Sequence, residues 1–402
     1  MSLQEIEMPK KIASVLKTVL RKGNDPVALH EPYFAGHEWD YVKDCLDSSY
    51  VSSVGSYVGR FEAGLSRFTG VQFAAATVNG TAALQICLKL AGVLPGDEVL
   101  IPALTFVATA NAVCYCGAIP HLVDSDMESL GVDGEKLDGY LKGISKAKDG
   151  ICYNKQTGRP IRALVIMHAF GCPAHLEHAA RVCEKYGLEL VEDAAESLGS
   201  YYGNLHTGKF GKLSALSFNG NKIVTTGGGG AILTESEELY QKAKHLTTTA
   251  KLPHPWAFVH DEIGYNYRMP NLNAALGCAQ LEQIEKFLRL KRALAAAYQK
   301  AFADLSGIHF FTEPSYAKSN YWLNTLILSK KNVFLRDPIL EETNRQGIQT
   351  RPAWTLMSRL PMFQDCPRMD LSTAESLERR IINIPSGAKL GIPFAFPENG
   401  KQ

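Results

Sequence analysis

The chain has 402 residues, 46% of them hydrophobic, enough to bury a sizeable core and to divide into more than one domain. Its 42 Lys and Arg balance 41 Asp and Glu to leave a net charge of +1, so composition offers no electrostatic case for nucleic acid or an anionic membrane as partner. The nine cysteines are odd in number, contain no Cys-x-x-Cys pair and are spread from Cys45 to Cys366, a pattern that points to reduced thiols in the cytoplasm.

The start, Met1 to Glu7, carries acids where a signal peptide would carry bases, and no apolar stretch approaches transmembrane length. Met1-Ser2-Leu3 also reads as a cloning remnant. Ile12, Val15, Leu16 and Val19 fall at helical spacing, giving a helical N-terminal extension over residues 1–28. From 29 to 275, apolar runs bounded by turn residues alternate with helical patterns, the mark of an α/β domain with a mostly parallel sheet. Examples are Glu98 to Pro102, His121 to Asp124, Ala163 to Met167 and Leu188 to Val191. A Pro-free stretch from Leu276 to Ala303 then predicts one long helix leaving that domain. Beyond it, a strand at Tyr321 to Leu328 and helices at Pro338 to Arg345 and Ser372 to Ile382 make residues 276–402 a linking helix and a smaller α/β domain.

Chemistry concentrates in the larger domain. Val78-Asn79-Gly80-Thr81 opens a helix, where converging backbone N–H groups suit a phosphate; Gly80 permits close approach and Thr81 offers a hydroxyl at the N-cap. Val191-Glu192-Asp193 delivers Asp193 at the carboxyl end of a buried strand, where ligands collect in open α/β sheets. The next strand, Ser214 to Phe218, leads into Asn219-Gly220-Asn221-Lys222 and then Gly227 to Gly230. A lysine forming a Schiff base needs a short, rigid mount, and a pyridine ring acting as electron sink needs a carboxylate at its nitrogen. Lys222 and Asp193 fit those roles for pyridoxal 5′-phosphate. The glycine run lacks the Gly-Lys-Ser/Thr of a nucleotide loop and reads as a tight turn beside the cofactor. His168, Cys172, His175, His178 and Cys183 match no zinc-finger or protease spacing, so no metal site is expected.

These motifs, together with Ser53-Val54-Gly55, Phe61-Glu62, Pro102 to Asn111, His168 to Gly171 and Gly264 to Met269, resemble the DegT-type sugar-nucleotide aminotransferases, fold-type I pyridoxal phosphate enzymes, over nearly the whole chain. The resemblance implies a Schiff base at Lys222, Asp193 paired to the pyridine nitrogen and Phe106 stacked on the ring. It implies that Gly80, Thr81 and Ser217 hold the phosphate, with Asn266 reaching in from the second subunit of a homodimer. Each residue also has a plainer use: Phe106 and Ser217 as core or strand residues, Asn266 as a loop polar group, Asp193 as a helix N-cap. Glu196 stands where the family commonly has a Gln expected to donate to the cofactor's phenolic oxygen, and an ionised Glu cannot donate.

Among subfamilies, Glu31-Pro32, Ala35 to Trp39 and Ser217 to Lys222 look most like enzymes of legionaminic-acid and bacillosamine pathways. The resemblance then implies glutamate as donor and C4 of a UDP-linked 4-keto-6-deoxy-N-acetylhexosamine as acceptor. Arg351 and Trp354 lie where the family places substrate-side residues, suiting a diphosphate and a sugar or base. The alternatives are a GDP- or dTDP-linked keto sugar, and a non-catalytic regulator that binds cofactor or nucleotide.

Overall fold

The computed structural model describes residues 3–23 and 25–396, so Met1 and Ser2 lie outside the described residues. Helices α1 (Leu3–Leu20), α2 (Glu38–Asp47) and α3 (Ser56–Thr69) precede a seven-stranded sheet. Its strands are β1 (Phe73–Thr77), β2 (Glu98–Pro102), β3 (Ile119–Val123), β4 (Ile161–Met167), β5 (Glu189–Asp193), β6 (Leu213–Ser217) and β7 (Gly230–Thr234), in spatial order β1-β7-β6-β5-β4-β2-β3. Helices α4 (Gly80–Leu90), α5 (Val107–Tyr115), α6 (Gly134–Ile144), α7 (Leu176–Tyr186) and α8 (Glu237–Thr247) connect or follow the strands.

β6, β5, β4, β2 and β3 are mutually parallel, and β7 runs antiparallel to both β6 and β1. β1 therefore shares the direction of the parallel set. The carboxyl ends of β1, β2, β4, β5 and β6 and the start of β7 consequently meet at one edge of the sheet, where crevices form in open α/β folds. Val99 to Ile101 and Val165 to Ile166 are fully buried, as expected for strands covered on both faces.

The stretch from Leu276 to Ala303 is two helices rather than one: α9 (Asn271–Leu281) ends and α10 (Ile284–Phe302) begins across Glu282 and Gln283. Gln280 and Gln283 both donate to Glu38 Oε1, pinning the break against α2. A second, antiparallel sheet follows, of β8 (Ile308–Phe310), β9 (Asn324–Leu328), β10 (Arg351–Pro352) and β11 (Ile381–Ile384), with helices α11 (Arg336–Arg345) and α12 (Ser372–Glu378). β9 starts later than the apolar run suggests because Tyr321 has φ 49°, outside strand geometry. The segment expected as a helix to Ile382 stops at Glu378, and the β-branched Ile381 and Ile382 enter β11 instead.

Two apolar cores result. The larger surrounds the seven-stranded sheet. In the smaller, Ile12, Leu16 and Val19 of α1 pack with Leu294 and Tyr298 of α10, Ile339 of α11 and Ile382 of β11. The N-terminal helix thus supplies one wall of the smaller core. Among the described residues no helix is long and apolar enough to cross a membrane. All nine cysteines are unpaired.

Candidate active site

A cavity of about 330 Å³ opens at the carboxyl edge of the large sheet. Gly80, Thr81, Phe106, Asp193, Glu196, Ser217, Lys222 and Trp354, all singled out from sequence, line it. Asn266 and Arg351 do not. Asn266 is exposed, its Oδ1 accepting from the Arg268 guanidinium at 3.0 and 3.3 Å, and Arg351 is exposed on β10, paired in register with Asn383.

One end of the cavity is the start of α4. Asn79, not Thr81, is the N-cap: its side chain accepts from Ala82 N–H at 2.8 Å, while Thr81 sits in the first turn. The main-chain N–H groups of Gly80 and Thr81 find no protein acceptor among the described residues, so with the Ser217 hydroxyl they form a cradle for an anion at a helix N-terminus. Two glycines make the approach possible. A Cβ on Gly80 would lie 2.8 Å from Ser217 Cβ, and one on Gly230 would lie 2.5 Å from the Asn79 carbonyl carbon.

Asp193 ends β5 and is not a helix cap, since no helix follows it. Thr109 Oγ1 donates to its Oδ2 at 2.8 Å, and Thr109 is tied in turn to Thr105 at 2.8 Å. Burial pushes the Asp193 carboxyl up, against the Thr109 and Ala195 hydrogen bonds and the nearby positive charge of Lys222. Glu192, one residue earlier, belongs to the frame. It is fully buried and accepts from His168 Nε2 (3.1 Å), Ser214 Oγ (3.2 Å) and the N–H groups of Gly208, Phe210 and Gly211 (2.7 to 2.8 Å). Burial works to raise its pKa, but these donors outweigh it and hold the carboxyl below the usual range.

Lys222 projects from the loop after β6. Its Nζ lies 3.4 Å from Glu196 Oε1 and 4.0 Å from the centroid of the Trp322 ring. Trp322 lines the cavity but was read from the sequence only as part of a strand. Its indole N–H donates to the Asn221 main-chain oxygen at 2.8 Å, and its own amide and carbonyl are held by Asn320 Oδ1 (2.7 Å) and the buried Lys291 Nζ (3.1 Å). Thr109 was likewise missed, although it lies within the quoted Pro102 to Asn111 motif. Phe106, 51% exposed at the mouth as the residue preceding α5, is no core residue. Trp354 stacks on Phe170 with ring centroids 4.7 Å apart.

The histidines among the residues weighed as metal ligands have protein partners. His168 Nε2 meets Glu192 while its Nδ1 accepts from Ala174 N–H at 3.1 Å, and His175 stacks on His178 at 3.6 Å between centroids. Elsewhere His245, Asp261 and Glu262 gather, but His245 pairs with Asp261 at 2.7 Å and Lys242 with Glu262.

A lysine in a cavity, a buried carboxylate, an exposed aromatic face and an anion cradle at one edge of a mostly parallel sheet define a fold-type I pyridoxal phosphate transferase, and the donor set fits that cofactor. Residues 33–392 match the DegT/DnrJ/EryC1/StrS aminotransferase family, and the chain belongs to it. It is a pyridoxal phosphate-dependent aminotransferase acting on nucleotide-linked sugars. GDP-perosamine synthase of Caulobacter vibrioides is 33% identical over 367 residues, covering 90% of this chain and 94% of its own. That of Escherichia coli O157:H7 is 34% identical over 360 residues, covering 90% and 93%. In fold, Helicobacter pylori PseC, an aminotransferase involved in the biosynthesis of pseudoaminic acid, superposes with a TM-score of 0.81 at 24% identity, covering 92% of this chain and 97% of its own.

Proposed function

We propose that the chain moves an amino group from glutamate to C4 of a UDP-linked 4-keto-6-deoxy-N-acetylhexosamine. The product is UDP-4-amino-4,6-dideoxy-N-acetyl-glucosamine, a building block for surface glycans of the legionaminic-acid or bacillosamine kind. The observation that carries the chemistry is the meeting of Lys222, Asp193 and the Gly80, Thr81 and Ser217 cradle in one cavity. Bound pyridoxal phosphate supplies the electron sink. Lys222 would hold the cofactor, and its free Nζ would serve as general base and acid at the substrate's alpha carbon. Asp193 holds a proton on the pyridine nitrogen, with Thr109 fixing its carboxylate. Phe106 would cover the ring and Trp354 would face the sugar nucleotide.

Asn266 contributes to the partner subunit's cavity in an assembled homodimer, and Arg351, on the substrate side, meets a diphosphate. The segment before Asn266 supports a second copy of this chain as its cover: Trp256, Phe258 and Ile263 are 80%, 80% and 84% exposed. Nine unpaired cysteines suit a cytoplasmic enzyme. A second reading keeps the reaction and changes the nucleotide, because relatives of 33% and 34% identity are GDP-perosamine synthases.

The test is the visible absorption of the cofactor-loaded protein before and after glutamate, followed by UDP- or GDP-linked 4-keto-6-deoxy sugar. Glutamate converts the cofactor band to the amine form and the UDP sugar restores it. Restoration by the GDP sugar alone moves the assignment to the second reading, and a band that glutamate never alters refutes glutamate as donor.

A further inference from the structure

Glu196 and Lys222 form a pair inside the cavity, their side chains only 3% and 14% exposed. One carboxylate oxygen is already committed, because Oε2 accepts the Phe170 N–H at 2.9 Å. That donor is fixed in place: Phe170 sits in a left-handed conformation, φ 57°, with its ring against Trp354. The remaining oxygen, Oε1, is the hydrogen-bond partner of Lys222 Nζ among the described residues. The other close neighbour of Nζ, the Trp322 face, attracts a cation but accepts no proton.

The charged groups facing Glu196 are Lys222, from the loop after β6, and Asp193, from the end of β5. The turn after β4 offers the neutral Phe170 N–H. From the small domain, Asn320 Nδ2 donates to the Glu196 main-chain oxygen at 2.8 Å and leaves the carboxyl alone.

We propose that Glu196 is the proton partner of Lys222, its Oε1 taking a proton from Nζ and returning it within each turnover. In the forward step an N–H bond of the Lys222 ammonium breaks and its electron pair stays on Nζ, while an O–H bond forms at Oε1. Ammonium and carboxylate become amine and carboxylic acid, so the net charge of the pair does not change. Burial favours that exchange, because it removes two charges from side chains largely shielded from solvent. Burial also pushes the Glu196 carboxyl up to about 7, against the attraction of Lys222, so both protonation states are populated near neutrality. The Gln expected here from the family resemblance could donate to a ligand oxygen but could not accept this proton.

The inference rests on Lys222 being the attachment lysine, and Lys222→Ala tests that separately: a covalent cofactor band persisting in this variant would refute the attachment and overturn the proposal with it. For Glu196 itself the variant is Glu196→Gln, isosteric and still able to accept the Phe170 N–H. The rate of the glutamate half-reaction in the wild-type holoenzyme falls on the acid side with a midpoint near pH 7. In Glu196→Gln that limb disappears and the rate at pH 8 drops by about tenfold to a hundredfold. Difference infrared spectra give a readout independent of turnover. A carboxylic-acid C=O band titrates near neutrality in the wild-type holoenzyme after glutamate has brought it to the amine form, in which Lys222 Nζ is free, and is missing from Glu196→Gln. A wild-type rate profile in the variant, or the same infrared titration in both proteins, would overturn the proposal.

Discussion

Glu192→Gln separates the frame of the site from its chemistry. His168 Nδ1 accepts from Ala174 N–H, so the neutral ring carries its proton on Nε2 and donates it to Glu192 Oε2. Oε2 also accepts Gly208 N–H, and Oε1 accepts Phe210 N–H and Gly211 N–H. A carboxamide must place its NH₂ either at Oε2, against the buried His168 Nε2–H and Gly208 N–H, or at Oε1, against the part-buried Phe210 and Gly211 N–H groups, where the Ser214 hydroxyl can turn to accept, so either choice sets two enclosed donors against a third. At about 1–3 kcal/mol for each unsatisfied buried group, the substitution costs about 2–6 kcal/mol. For a cooperative unit the size of the large domain this lowers Tm by about 4–12 °C. The assay is differential scanning calorimetry of both proteins from pH 8 downward. Because the folded-state pKa of Glu192 is depressed, its contribution is present above the unfolded-state value of 4.5 and is lost as pH falls through the folded value, so the two melting curves converge in acid. A variant Tm within about 1 °C of wild type at pH 8 would refute the hydrogen-bond accounting.

Asp193→Asn should behave in the opposite way. The folded-state pKa of Asp193 is raised, so its ionised form weakens the fold as pH rises, and Asn at pH 8 melts no lower than wild type while the glutamate-dependent spectral change falls by about a hundredfold or more. Arg351→Ala should raise the KM for the nucleotide sugar far more than for glutamate, and an equal effect on both would remove Arg351 from the substrate site. Mixing Asn266→Ala with Lys222→Ala subunits should restore activity in hybrid dimers. If hybrids stay inactive while each variant still dimerises, Asn266 does not serve its partner's cavity.

What the sequence determined by itself is the set of strand ends and their chemistry. Short, mostly apolar runs closing on Asp193 and Ser217 are legible because a parallel strand covered on both faces is predominantly apolar, and the residue at its carboxyl end is free to be functional. The glycine between Asn79 and Thr81 and the lysine before a glycine run carry information at fixed spacing, which local geometry alone imposes. Helix limits beyond Asn271 were less legible. Glu282 and Gln283 have ordinary helical propensity, and the break there is tied to Glu38, 244 and 245 positions away in sequence from them.

Only the tertiary structure brought Trp322 and Phe170 to Lys222 and Glu196. Trp322 belongs to a run that reads as strand, and its place over Nζ depends on Asn320 and Lys291 holding its main chain from either side. Glu196 shows the same limit most clearly. Its sequence position marks a departure from the family pattern, but whether a carboxyl can sit there depends on burial, on one remote N–H and on a lysine 26 residues away. Those are properties of the folded cavity, set by distance and solvent exclusion rather than by neighbours along the chain.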